Sequence, residues 1–259
     1  MTGDIKHIVI IQSLREREVQ SGKDLYDDLI VRMVELSNNG MTHEYLDVGD
    51  KLHLIEDLKY INAKSPYIPG GVLIHLEMHG SHDQDGLVLK NYELITWVEL
   101  VECFREINIS TVNKLYITMA TCHGRYLYEG VDPEQKSPYS GYISASKEVL
   151  LDEVVQDFSQ LFESLIAKGN LVEAYFDLDA TSNFFYKDSE ATFVENIKMV
   201  KNQFDSDPAF KQSFYDDVRA TLSHYGYDMS DLEIETMRRQ AHDSIIRRHR
   251  KAFEFPVEE

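Results

Sequence analysis

Three apolar, β-branched runs separated by helical patterns constrain this chain more than any other feature. Ile5 to Ile11, Val72 to Met78 and Leu115 to Thr121 each read as a buried strand. Between the first two, Leu25, Leu29, Ile30, Met33 and Val34 recur at helical spacing. Ser21 or Asp24 is placed to cap that helix, and Asn38-Asn39-Gly40 is a C-terminal stop signal. His43 to Val48 is a short strand, and Leu52 to Ala63 is a helix with Leu54, Leu58 and Ile61 on one face. Ser65-Pro66 and Pro69-Gly70-Gly71 break it before the next strand. Strand and helix thus alternate from the start of the chain to residue 80, which predicts an α/β fold with a mostly parallel sheet and helices on both faces.

Further along, Leu87-Val88-Leu89 suits a small edge strand, and Thr96 to Ile107 a helix with Trp97, Leu100, Val101 and Phe104 turned inward. Arg125 to Ser140 is a long loop rich in Gly, Pro and Tyr, of the kind that often binds substrate. Tyr142 to Ala145 is a fifth main strand. Leu150 to Ile166 is a helix with Val154, Val155, Phe158, Leu161, Phe162 and Leu165 inward, ended by Lys168-Gly169-Asn170. Leu171 to Leu178 suits a strand or another helix equally. From Asp179 the composition turns polar and aromatic, with helical patterns over Phe193 to Phe204, Pro208 to Tyr225 and Ser230 to Phe253 and no clear strand. The expected organisation is a core of residues 1–178 and a helical C-terminal extension, 179–259, packed on it.

The chain holds 259 residues with a net charge of −19, from 45 acidic and 26 basic side chains. That balance argues against a general nucleic-acid binder, which needs a basic face to displace counterions. No apolar run reaches the ~18 residues of a membrane span. The first residues carry no basic-then-apolar leader, so a cytoplasmic protein is expected. The two cysteines, Cys103 and Cys122, are not expected to form a structural disulfide in that setting. Cys103 sits inside a helical apolar pattern and reads as a small buried hydrophobe.

Two strand runs end in chemistry. Val72 to Met78 is followed by His79-Gly80-Ser81, and Leu115 to Thr121 by Cys122-His123-Gly124. In a parallel sheet both tips fall on one rim, where α/β proteins keep their sites. A thiol is a weak nucleophile until a histidine takes its proton, and that histidine later protonates the leaving amine. Glycines beside the pair let backbone N–H groups reach an oxyanion. His79 and Cys122 are therefore the candidate catalytic residues, with backbone N–H groups at Gly80 and Cys122 as the oxyanion donors.

This arrangement resembles the caspase-like clan of cysteine peptidases, which includes caspases, metacaspases, separase and the bacterial CHAT-type peptidases. The resemblance rests on Leu76-Glu77-Met78-His79-Gly80-Ser81 and Met119-Ala120-Thr121-Cys122-His123-Gly124. Asp85-Gly86-Leu87-Val88-Leu89 and Ile143-Ser144-Ala145-Ser146 add to it, and it covers residues 5 to 178. It implies a three-layer caspase-like fold and an endopeptidase with a Cys-His dyad and no cofactor. In kind it is closest to CHAT-type thiol proteases that cleave a dedicated partner, including in bacterial antiviral defence. Metacaspases carry an aspartate two positions before the cysteine to receive a basic substrate residue; here that position is Ala120. Caspases hold an acidic residue with an arginine from the loop after the first strand, where Arg15 and Arg17 stand. Ala120, His123, Arg15 and Arg17 are the substrate-pocket candidates.

A zinc site from His75, His79, His82, Asp83, Cys122 and His123 is disfavoured because the spacing matches no standard motif, and no metal is expected. The basic run Arg238, Arg239, Arg247, Arg248, Arg250 and Lys251 reads first as a solvated helix face paired with the protein's own acids. Its functional reading is docking onto an acidic partner or nucleic acid, the partner being a regulatory or sensor protein. The partners expected are thus a protein substrate and such a regulator, without a membrane. A catalytically inactive adaptor with the same fold is the alternative.

Overall fold

A computed structural model of the chain describes residues 3–255. One compact unit runs to Asp132 and resumes over Lys136–Ser189; a second comprises Pro133–Gln135 and Glu190–Glu254.

The first unit is an α/β layered fold. β1 (Ile5–Ser13) leads into α1 (Ser21–Asp24), a π-helical turn (Leu25–Ile30) and α2 (Val31–Ser37). Asn38 closes this helical stretch in the left-handed region, φ 47°. Neither Ser21 nor Asp24 caps it. Gln20 holds the N-cap position without a side-chain bond, because the Ser21 hydroxyl donates instead to Glu77. β2 (Thr42–Asp47), α3 (Lys51–Lys64), β3 (Gly71–Gly80) and the short β4 (Gly86–Val88) and β5 (Leu94–Thr96) follow. α4 (Trp97–Ser110) starts from a Thr96/Glu99 capping box. β6 (Leu115–Met119), a 3-10 segment (Gly124–Gly130), β7 (Gly141–Ala145) and α5 (Leu151–Lys168) come next, and Gly169 at φ 75° ends α5.

The main sheet runs β2-β1-β3-β6-β7-β8, where β8 is Phe184–Asp188. All its neighbours are parallel except β7 and β8. Side-chain alternation along each strand builds two cores. Val9, Ile11, Ile74, Leu76, Ile117 and Met119 pack with Leu58 of α3 and Phe104 of α4. On the other face, Ile8, Ile10, Leu73 and Ile143 pack with Ile30, Phe158 and Phe162. The α/β fold with helices on both faces is therefore as expected.

Three local expectations need correction. Val155 is 46% exposed rather than inward; it lies one residue off the buried stripe of Val154, Phe158 and Leu161. Leu171 to Leu178 holds no strand: α6 (Leu171–Tyr175) forms because the Asn170 side chain accepts from the Val172 and Glu173 amides. The stretch beyond Asp179 does contain a strand, β8, which buries Phe184 and alternates outward at Phe185. It extends the sheet beyond residue 178 by pairing antiparallel with β7.

The second unit consists of α7 (Ser189–Ser206, from Glu190 onward), α8 (Pro208–His224) and α9 (Asp231–Arg250). Its small core joins Phe204, Tyr215 and Ile234. Glu235 ties it together by accepting from the Tyr215 hydroxyl at 3.1 Å, Arg238 Nε at 2.9 Å and Arg239 Nε at 2.7 Å. The Arg238 guanidinium also lies 4.0 Å from the Phe204 ring centre. Arg248 pairs with Glu134, so much of the basic run on α9 meets acids of its own unit.

Candidate active site

The chain passes from β1 outward to β2 and then returns to the other side of β1 as β3. The crevice beyond the carboxyl ends of β1 and β3 is thus a topological switch point, the place where open α/β sheets bind ligands. Three segments meet there: the loop after β1, the end of β3 and the end of β6.

β3 and β6 are neighbours, with His75 level with Thr118 and Leu76 with Met119. The Ala120 amide extends the ladder by donating to the Leu76 carbonyl at 3.0 Å. His79 and Gly80 therefore stand beside Thr121 and Cys122. The approach is so close that a Cβ on Gly80 would lie 2.2 Å from the Cys122 carbonyl oxygen, so only glycine fits. His79 and Cys122 line one cavity of about 230 Å³, together with Leu14, Glu18, Ala120 and Val154. The sequence pairing of His79, Gly80, Ala120 and Cys122 is thus brought together in space.

The His79 ring is half exposed, and its Nε2 lies 3.0 Å from Glu18 Oε1. A carboxylate only accepts, so Nε2 carries the proton and Nδ1 is the nitrogen that takes one up. Glu18 is itself fixed. The Arg15 amide donates to its Oε2 at 2.8 Å, and Arg15 Nη1 to Oε1 at 3.1 Å. Partial burial alone raises the Glu18 carboxyl. The hydrogen bonds from Arg15 and His79 and their positive charge outweigh that, and the net direction is downward.

Beneath this rim lies a buried polar chain. His75 Nδ1 is 2.8 Å from Thr118 Oγ1 and its Nε2 is 3.3 Å from Glu77 Oε1, while Ser21 Oγ donates to Glu77 Oε2 at 3.0 Å. The His75 ring is fully buried between Phe158 and Phe162, with centroids at 4.5 and 5.3 Å.

The remaining sequence candidates lie outside the cavity wall. Arg15 is engaged by Glu18 and sits 4.3 Å from the Tyr92 ring centre; Arg17 is exposed. His123 adopts φ 60°, its amide donates to the Lys147 carbonyl at 3.3 Å, and its Nδ1 is buried without a partner among the described residues. The left-handed turn after Cys122 costs about 1–2 kcal/mol for a residue with a Cβ. Cys103 is partly buried on α4, and burial pushes its thiol up, away from nucleophilic use. Among the described residues no three His, Cys, Asp or Glu side chains group to hold a metal ion. Sequence reasoning missed Glu18, whose signal was its place in the polar loop after β1. It also missed Glu77 as a wall residue, although strand alternation puts it on the His79 face.

Compared with known proteins, the sequence matches no family model and no curated protein. No helix among the described residues is long and apolar enough to cross a membrane.

Proposed function

We propose that the chain is a caspase-like cysteine endopeptidase of the CHAT kind, acting through a Cys122–His79 dyad. The observation that carries this reading is the shared cavity: the histidine and cysteine end adjacent parallel strands and line one cleft at the switch point.

In this reading His79 Nδ1 takes the proton of Cys122 Sγ, and the thiolate attacks the scissile carbonyl carbon. Backbone N–H groups at Gly80 and Cys122 receive the oxyanion, an interaction worth roughly 10²–10³-fold in rate for one donor. The carbon–nitrogen bond then breaks, and the imidazolium gives its proton to the departing amine. Water, deprotonated by His79, attacks the thioester, releasing the new carboxylate and restoring the thiol. Glu18 acts on His79 alone: it fixes the tautomer and steadies the imidazolium, as the orienting member of a triad does.

The partners in this proposal are a dedicated protein substrate and a regulatory or sensor protein meeting the basic side of α9. A role in bacterial antiviral defence rests on the resemblance alone, and a cytoplasmic setting on the character of the first residues. The test is cleavage of a peptide library by wild-type, Cys122→Ala, His79→Ala and Cys103→Ala proteins. Cleavage by wild type and Cys103→Ala only is expected. Cleavage that survives in Cys122→Ala defeats the dyad, and absence of cleavage from every protein favours the inactive adaptor.

A further inference from the structure

We propose that Glu77 is the specificity-determining residue of this cleft and receives the side chain of a lysine or arginine on the acyl side of the scissile bond. This rests on the peptidase reading above.

The argument begins with register. Glu77 precedes His79 by two residues on β3, and Ala120 precedes Cys122 by two on β6, at the same level. Both point to the face that His79 shares, about 7 Å below the rim at the usual rise of a strand. Ala120 is too small to fill the space beside the carboxylate, and one cavity is lined by Cys122, Ala120 and Glu77 together. Leu14, Val19, Val149 and Val154 are among its apolar lining; of its two carboxylates, Glu18 is taken up by Arg15 and His79, which leaves Glu77, beside Ser21, as the one open to a further cation. An apolar shaft with a carboxylate at its foot suits a side chain with a long methylene stem and a cationic head.

The carboxylate has capacity for such a head. Glu77 is only 4% exposed, and among the described residues its donors are the Ser21 hydroxyl and the His75 ring, neither of them a lysine or arginine. Two oxygens offer about four acceptor sites, so room remains for an ammonium or guanidinium. A second cavity, of about 300 Å³, shares Ser21, Glu77 and Val154 with the first. Its rim carries Asp24, Asp28 and Glu163 against the single base Arg32, so the surroundings favour a cation. Arg15 and Arg17, which would favour an acidic residue, are absent from both walls.

The test is covalent labelling of the full-length protein by peptidyl acyloxymethyl ketones that differ only in the residue beside the warhead: Lys, Arg, Leu, Gln or Asp. Rates are read from intact mass, with the adduct mapped to Cys122. The Lys and Arg probes are expected to label fastest. In Glu77→Gln their advantage should fall by about 100-fold, the scale of removing one partner of a desolvated charge pair. Because Glu77→Gln also disturbs Ser21 and His75, Glu77→Gln/Ala120→Asp provides a second variant; a carboxylate at the same level on β6 should restore the basic preference. Equal rates for all probes, or preference for Asp or Leu, overturns the assignment of Glu77 and leaves the dyad standing. No labelling of Cys122 by any probe, with iodoacetamide still alkylating it, overturns the peptidase reading itself.

Discussion

Gly80→Ala is the sharpest perturbation the fold offers. The added methyl would sit 2.2 Å from the Cys122 carbonyl oxygen, with the carbonyl carbon at 3.2 Å and Thr121 Oγ1 at 3.3 Å. Ordinary contact begins at 3.4 Å, so the two strand ends must part by about 1.2 Å. The obstacle is backbone, which cannot swing aside like a long side chain. Overpacking of this kind typically costs about 1–3 kcal/mol. At about 2–4 °C per kcal/mol for a chain of this size, the melting temperature should fall by roughly 2–12 °C. The functional cost should be larger than the stability cost, because a displacement of about 1 Å between reacting groups lowers rates by ~100-fold. The assay is thermal denaturation alongside peptide cleavage, with Gly49→Ala as control, since its Cβ would meet only His53 Nδ1 at 4.0 Å. Unchanged melting and unchanged cleavage in Gly80→Ala would refute the claim that these two strand tips are held in contact.

Other outcomes follow from the same geometry. Glu18→Gln should lower kcat several-fold, with a smaller change in KM, because the Glu18 carboxylate is engaged by His79 and Arg15. Since the Glu18 carboxyl is depressed, its contribution is present above the ordinary value of 4.5 and is lost as pH falls through its lower folded value; acid denaturation of Glu18→Gln should lack that component. Phe158→Ala removes a ring packed on both His75 and Phe184 and should cost about 3–5 kcal/mol in denaturant unfolding. In the second unit, hydrogen bonds from Arg238, Arg239 and Tyr215, with the Arg238 charge, hold the Glu235 carboxyl at about 2 against opposing burial. Its stabilisation is complete above pH 4.5 and should fade towards pH 2, a loss that Glu235→Gln should not show in a pH series of unfolding curves.

The sheet was legible because its central strands are buried on both faces and so read as unbroken apolar runs. The tips of β3 and β6 were legible for the same reason: a histidine and a cysteine stand out at the end of Val72 to Met78 and Leu115 to Thr121. β8 was not, because an edge strand of five residues alternates Phe184 inward with Phe185 outward and sits among helical patterns. Glu18 was hidden because its role depends on where a polar loop folds back, a contact across 61 positions that local pattern cannot encode. Strand alternation puts Glu77 on the His79 face, but its surroundings depend on Ser21 arriving from the start of α1 and Val154 from α5. Arg15 shows the opposite limit. Its charge suggested a substrate contact, whereas its guanidinium is taken up by Glu18 and Tyr92.

The central claim is that Cys122 forms a covalent acyl bond during peptide cleavage. The most direct measurement is acid quenching of wild-type protein turning over a peptide ester, followed by intact-mass analysis and mapping of the adduct. An acyl group on Cys122, absent from Cys122→Ala and formed far more slowly in His79→Ala, is the predicted result. Turnover with no adduct, or with the acyl group on any other residue, would contradict it.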